Sequence, residues 1–178
     1  MRVLVTGASG QLGSYLGDSL AVAGHEVRGW SGRTTGARGR VRFEPVELAD
    51  IDAARRAFDV AAPDAVVHAA AVASAREVVR DPTWAVAINV TATRHLAEWC
   101  DQKRCRMLFL STDLVFDGSK AWNREEDEAR PVLAYGRTKH AAEAFVVGLA
   151  RGLVTRVSLM YGPSRCGRSG FFDAAIAA

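Results

Sequence analysis

Gly7, Gly10 and Gly13 form a triplet near the start of the chain, in the segment MRVLVTGASGQLGSYL, and no other stretch constrains the fold as much. The apolar run at Val3–Val5 reads as a short strand buried on both faces. Behind the glycines, Leu12, Leu16 and Leu20 recur at helical spacing. A G-x-x-G-x-x-G turn between a strand and a helix has a physical reason at each glycine. One permits the tight turn, one lets backbone approach a pyrophosphate, and one allows the helix to pack close on the sheet. The helix N-terminus then offers unpaired N–H groups and its positive dipole end to phosphate. Alone, such a triplet could be a plain tight turn; in this position it reads as a dinucleotide loop.

Strand and helix patterns alternate along the rest of the chain, which predicts an α/β fold around a parallel sheet. Strands are expected at His25–Trp30, Val41–Val46, Ala65–His68, Met107–Leu110 and Leu153–Ser158, with Pro45 weakening the second of these. Residues 50–61, 83–103 and 134–150 carry helical patterns, the longest with Trp84, Ile88, Thr91, His95 and Trp99 along one side. Ser31 to Arg40 and residues 118–133 read as polar loops, and the acidic run Glu125–Glu128 shows no metal-ligand spacing. A Gly/Arg/Ser loop over 162–170 precedes a helix start at Phe171. The expected architecture is a Rossmann-like, doubly wound, three-layer α/β/α domain over 1–162, with residues 163–178 beginning a substrate-binding region that is otherwise missing.

Composition closes off other classes. With 49% hydrophobic and 24% charged residues in 178, the chain can bury one core and is neither disordered nor fibrous. No apolar run is long enough for a membrane span and no signal peptide pattern opens the chain, so a cytoplasmic location is expected. Cys100, Cys105 and Cys166 cannot all pair with one another, and none lies in a CxxC motif. Cys100 and Cys105, five apart, give no two-ligand zinc signature, and no metal site is expected. The net charge is +3, and three lysines stand against twenty arginines, spread along the chain without interleaved aromatics. Nucleic-acid binding is therefore not expected.

The end of the second strand speaks to the coenzyme. A site for NAD usually places Asp or Glu there for the ribose 2′-hydroxyl. Here EVRGW runs into Ser31, Gly32 and Arg33, so a 2′-phosphate would meet a hydroxyl and a guanidinium instead of a repelling anion. NADP(H) is the preferred cofactor on this reading, with NAD(H) the alternative. Arg33 and Arg38 would otherwise be solvated loop residues.

Tyr135 and Lys139 are four apart on a predicted helix and so share a face. An ammonium beside a phenol favours phenolate and lowers the phenol's pKa, which would let Tyr135 deliver a proton near neutral pH. The strand at Met107–Leu110 runs into Ser111, Thr112 and Asp113, at the strand end where ligands bind in open parallel sheets. A hydroxyl there can hold a substrate carbonyl; Ser111 could equally cap a turn. His68, after a hydrophobic strand, reads as structural; Arg165 and Arg168 read as solvated or as contacts for a nucleotide diphosphate.

GASGQLG, HAAA, STDLVFDG and YGRTK, in that order, resemble an extended short-chain dehydrogenase/reductase, and GQLG with STDLVFDG is similar to the dTDP-4-dehydrorhamnose reductase family. That resemblance implies Thr112, Tyr135 and Lys139 as the catalytic set, with Lys139 also on the nicotinamide ribose. It implies Gly7, Gly10, Gln11, Leu12 and Gly13 as the cofactor loop, Glu47 and Leu48 at the adenine, and Ala69, Ala70 and Ala71 along the cofactor trough. Asn89 matches the superfamily's helix asparagine. The implied reaction is NADP(H)-dependent reduction of a 4-keto-6-deoxy nucleotide sugar, with a homodimer as an option. Departures fall on the sugar side: Leu114 replaces an aromatic, Ser158-Leu159-Met160-Tyr161-Gly162 lacks a tryptophan, and Val72-Ala73-Ser74-Ala75-Arg76 lacks the family's Thr and Asp. The chain also resembles the regulatory β subunit of methionine adenosyltransferase, which would make it a non-catalytic NADP-binding subunit. An epimerase or dehydratase using Asp113 is a further alternative.

Overall fold

A computed structural model describes residues 1–166, packed as two compact units: Met1–Ala70 with the segment from Leu159, and Ala71–Ser158.

In the first unit, the buried run Val3–Val5 forms the centre of β1 (Arg2–Thr6). It is followed by α1 (Gln11–Val22), β2 (Glu26–Ser31), β3 (Gly36–Arg38), β4 (Val41–Pro45), α2 (Ile51–Ala61) and β5 (Ala65–His68). The strand order is β3-β4-β2-β1-β5, with every neighbouring pair parallel except β3–β4. The chain leaves β1 toward β2 on one side and returns to pair β5 on the other. The loops after β1 and β5 thus meet at the point where strand order reverses, the usual binding crevice of open α/β sheets. Pro45 ends β4, the place in a strand where its missing N–H costs no ladder bond. The Asp50 carboxylate caps α2 by accepting from Ala53 N at 2.9 Å. At the other end of α2, Ala62 takes a left-handed conformation (φ 40°) before Pro63.

The second unit contains α3 (Ala75–Arg80), α4 (Pro82–Val86), α5 (Ala92–Gln102), β6 (Arg106–Thr112), α6 (Ala134–Val147) and β7 (Gly152–Val157). β6 and β7 run parallel, joined by α6, in the right order for a strand–helix–strand crossover.

The fold class is the expected Rossmann-like α/β, mostly parallel. Three local expectations are corrected. Residues 36–38, read as loop, form β3, whose antiparallel pairing with β4 is a local hairpin in a glycine-rich stretch with no hydrophobic alternation. The helix expected without interruption over 83–103 is interrupted by a π-turn at Ala87–Thr91, because Asn89 turns inward and bonds the backbone of Val72. Ala75–Arg80, unassigned from sequence, is helical behind a Ser74 cap. The helix start at Phe171 and Arg168 lie outside the described residues.

Candidate functional site

Two sets of predicted residues are built by the two units. In the first, Gly7 adopts φ +68°, a conformation that side chains resist. A Cβ added there would lie 2.8 Å from Ala70 N and 2.9 Å from Ala69 C, and one at Gly13 would run into the Gly7 carbonyl. The loop is closed by Gly10 N donating to Gly7 O at 2.9 Å. Gly7, Gly10, Gly13, Ala69 and Ala70 are thus brought together as a cradle open only to backbone, which fits a pyrophosphate at the start of α1. Ala71 opens the second unit. Behind the cradle, Thr6 Oγ1 accepts from Ala70 N at 3.2 Å and shares a 2.7 Å bond with His68 Nδ1. His68 is fully buried, in keeping with a structural role.

Gln11 opens α1. Its side chain faces the segment after β7: Nε2 donates to Pro163 O at 2.8 Å, and Oε1 accepts from Arg165 N at 2.8 Å. The Arg165 guanidinium stacks on Tyr15 at 3.9 Å and pairs with Asp18 at 3.2 Å. Gln11 is left with its backbone at the helix start, and Leu12 is half-buried beside it.

At the end of β2, Ser31 is buried and its hydroxyl is held within its own turn, donating to Thr34 O and accepting from Thr34 N. That bonding lies within the turn itself. Arg33 is exposed and its Nε lies 3.8 Å from Glu47. Two residues singled out separately for the adenosine side thus form a pair. Leu48 is core.

In the second unit, Thr112 ends β6. Its hydroxyl donates to Asp113 Oδ1 at 3.2 Å and accepts from Leu114 N at 3.2 Å, capping a single 3-10 turn at Asp113–Val115. Tyr135 and Lys139 lie one turn apart on α6. The phenol is shifted by other groups than the lysine. Burial, with the Asp113 carboxylate adding to it, holds the Tyr135 phenol above its ordinary value. Lys139 is 1% exposed with Nζ 3.9 Å from the centroid of the Phe109 ring, and among the described residues it makes no ion pair. Burial lowers the ammonium to about 7, against the pull of Glu143.

Glu143, one further turn along α6, escaped the sequence reading. Its buried carboxylate accepts from Ser111 Oγ at 2.5 Å and from Arg156 Nε and Nη2 at 3.0 and 2.8 Å. Burial pushes this carboxyl up, but the bonds from Arg156 and Ser111 outweigh it and hold it below the usual range. The signal was its spacing of four from Lys139. Asn89 is also placed here: its amide donates to Thr138 Oγ1 at 3.0 Å, and that hydroxyl donates to Tyr135 O at 2.8 Å.

A glycine cradle at the strand-order reversal of a mostly parallel sheet defines the class of Rossmann-like nucleotide-binding proteins. Within that class, residues 1–172 match the RmlD substrate binding domain, and the chain belongs to that family. It is 34% identical over 162 residues to methionine adenosyltransferase 2 subunit beta of Pongo abelii, covering 90% of this chain and 47% of that protein. The crystal structure of a hypothetical dTDP-4-dehydrorhamnose reductase from Sulfolobus tokodaii superposes with a TM-score of 0.80 at 32% identity, covering 89% of this chain and 56% of that one. The Bordetella bronchiseptica enzyme WbmG, solved in complex with NAD and UDP, gives 0.72 at 28%, covering 89% and 52%. The chain spans about half the length of these relatives. Among the described residues no helix is long and apolar enough to cross a membrane, and no group of three or more His, Cys, Asp or Glu could hold a metal ion.

Proposed function

We propose that the chain carries the cofactor-binding and proton-transfer parts of an NADP(H)-dependent reductase of a 4-keto-6-deoxy nucleotide sugar, of the dTDP-4-dehydrorhamnose reductase kind, acting in the cytoplasm. The observation that carries this reading is the placement of Tyr135 and Lys139 on one face of α6, with the Thr112 hydroxyl at the end of β6. The cradle of Gly7, Gly10, Gly13, Ala69 and Ala70, with the backbone of Gln11 and Leu12, would hold the pyrophosphate. Arg33, with no carboxylate ending β2, favours a 2′-phosphate, and Glu47 and Leu48 border the adenine. When bound, the nicotinamide supplies the hydride. Thr112 orients the substrate carbonyl oxygen, and the Tyr135 O–H gives that oxygen its proton. Lys139 leaves the Phe109 ring face for the nicotinamide ribose, where its charge favours the phenolate that remains.

A second reading is a regulatory NADP-binding subunit like the methionine adenosyltransferase β subunit. It is favoured by the resting state of the pair, a phenol held high and an ammonium against an aromatic ring. Titration of the chain with NADPH and NADH, followed by tryptophan quenching, tests both readings. Saturable binding with NADPH the tighter is expected; binding of neither by a folded chain overturns them. Turnover of a dTDP-4-keto sugar that Tyr135→Phe abolishes then separates the reductase from the subunit.

A further inference from the structure

The C-terminus of α5 brings two thiols together just before β6 begins, at the opposite end of that strand from Thr112. Arg104 N donates to Asp101 O at 3.0 Å and Cys105 N donates to Cys100 O at 2.8 Å, while Arg104 takes φ +53°. These two bonds around a left-handed residue define a Schellman motif, in which the side chains of the first and last residues meet. That contact is ordinarily between hydrocarbon groups; here it is between sulfurs, and the Cys100 S–H bonds to Cys105 Sγ. Both cysteines are buried yet line a cavity of about 420 Å³, together with Asp101, Arg104, Leu149 and Arg151. Arg151 Nη1 donates to Arg104 O at 3.0 Å, which fixes one guanidinium at the rim.

We propose that Cys100 and Cys105 form a dithiol–disulfide site that is oxidised by small disulfides carrying carboxylates. At the cavity only Cys105 keeps a small exposed surface, Cys100 being fully covered, and Arg104 and Arg151 supply attraction for carboxylate arms. Cys105 is the attacking sulfur, because it is the less buried of the two and stands at the open end of the motif. The neighbouring Cys105 and burial push the Cys100 thiol up and keep it protonated until the second step. The Cys105 S–H also donates to Arg106 O at 3.4 Å and gives up that proton before attack. The Cys105 thiolate breaks the small disulfide, forms a mixed disulfide and releases one small thiolate, which takes a proton. Cys100 sulfur then attacks Cys105 Sγ and expels the second small thiolate, which takes the Cys100 proton. Two protein thiols are oxidised to one disulfide, and one small disulfide is reduced to two thiols.

The probe is oxidised glutathione, added to the folded chain in a Cys166→Ser background that removes the third thiol. The expected product has lost two hydrogen atoms in mass, and its peptide map joins Cys100 to Cys105. Cystamine, whose ends are cationic, should react at least about tenfold more slowly at low salt. Cys100→Ser should stop at a mixed disulfide on Cys105, whereas Cys105→Ser should stay unmodified. Circular dichroism confirms that each variant is folded, and the peptide map of the Cys166→Ser chain needs no change at either sulfur. Two thiols still titratable after prolonged exposure of the folded chain overturn the proposal, as does a persistent mixed disulfide with Cys100 unlinked. Equal rates with the two probes remove the role of the arginines and overturn it in the form stated.

Discussion

The Lys139 ammonium rests 3.9 Å from the centroid of the Phe109 ring, with both residues buried between α6 and β6. Burial leaves that cation little water, and this loosens its proton even though the face of the ring favours the charged form.

A measurable pH dependence follows. Lys139 is lowered to about 7 from 10.5 in the folded chain, and the unfolded chain keeps the ordinary value. Between those two pH values the unfolded state binds more protons, so the contribution of this group makes stability rise with pH, by up to about 1.4 kcal/mol per unit. Below 7 the lysine is charged in both states and its slope vanishes. Lys139→Met should flatten the rise, as read from urea midpoints at pH 7, 8 and 9. An unchanged slope in the variant would show that the lysine is not the group responsible.

Buried Glu143 is paired with half-buried Arg156 and tied also to Ser111, and breaking the pair should be expensive. Arg156→Met leaves a buried carboxylate with a reduced set of donors, and a loss of about 3–5 kcal/mol is expected from denaturant unfolding. Replacing both, as Glu143→Leu with Arg156→Met, should recover most of that loss. The carboxylate also gives a sign in acid. Held below its ordinary 4.5, it contributes fully above that value and loses its contribution as pH falls through the folded value.

The Tyr135 phenol is held up by burial and by Asp113. Asp113→Asn should bring its ionisation down toward the ordinary value of about 10, as seen in an ultraviolet phenolate titration with Tyr135→Phe as the blank. NADPH binding should lower it further if Lys139 then moves from the Phe109 ring to the ribose.

Ala62 ends α2 with φ 40°, a conformation that places its Cβ against backbone. Its side chain is exposed. Ala62→Gly should therefore stabilise the chain by about 0.5–1 kcal/mol, the relief of the left-handed cost exceeding the added freedom of the unfolded chain. A thermal midpoint that falls would contradict this.

Much of the fold is written in local patterns. Val3–Val5 followed by three glycines and a leucine repeat read as a dinucleotide loop more than as a plain tight turn, and the structure places Gly7 and Gly13 where a Cβ would strike backbone. What escaped depends on distant partners. The π-turn at Asn89 exists because Val72, 17 residues earlier, takes both ends of its amide. The spacing of Tyr135 and Lys139 was legible, but the direction of the phenol's shift was not, since it is set by burial and by the Asp113 carboxylate arriving from the end of β6. The bonding of Ser31 to Thr34 was not legible, because it lies in the turn geometry and not in the residue type.

The closeness of Gly7 to the backbone of Ala69 and Ala70 restricts how this chain can drift. No side chain fits at residue 7 while the segment after β5 stays in place, and that segment is itself anchored through Thr6. Any substitution at residue 7 must therefore be preceded by a shift of the opposite loop, which no single amino-acid change supplies. A library randomised over 7–13 alone should return glycine at position 7 in every folded clone. Within 7–13, Ser9 and Leu12 are half-buried positions where new specificities can be sought without dismantling the turn.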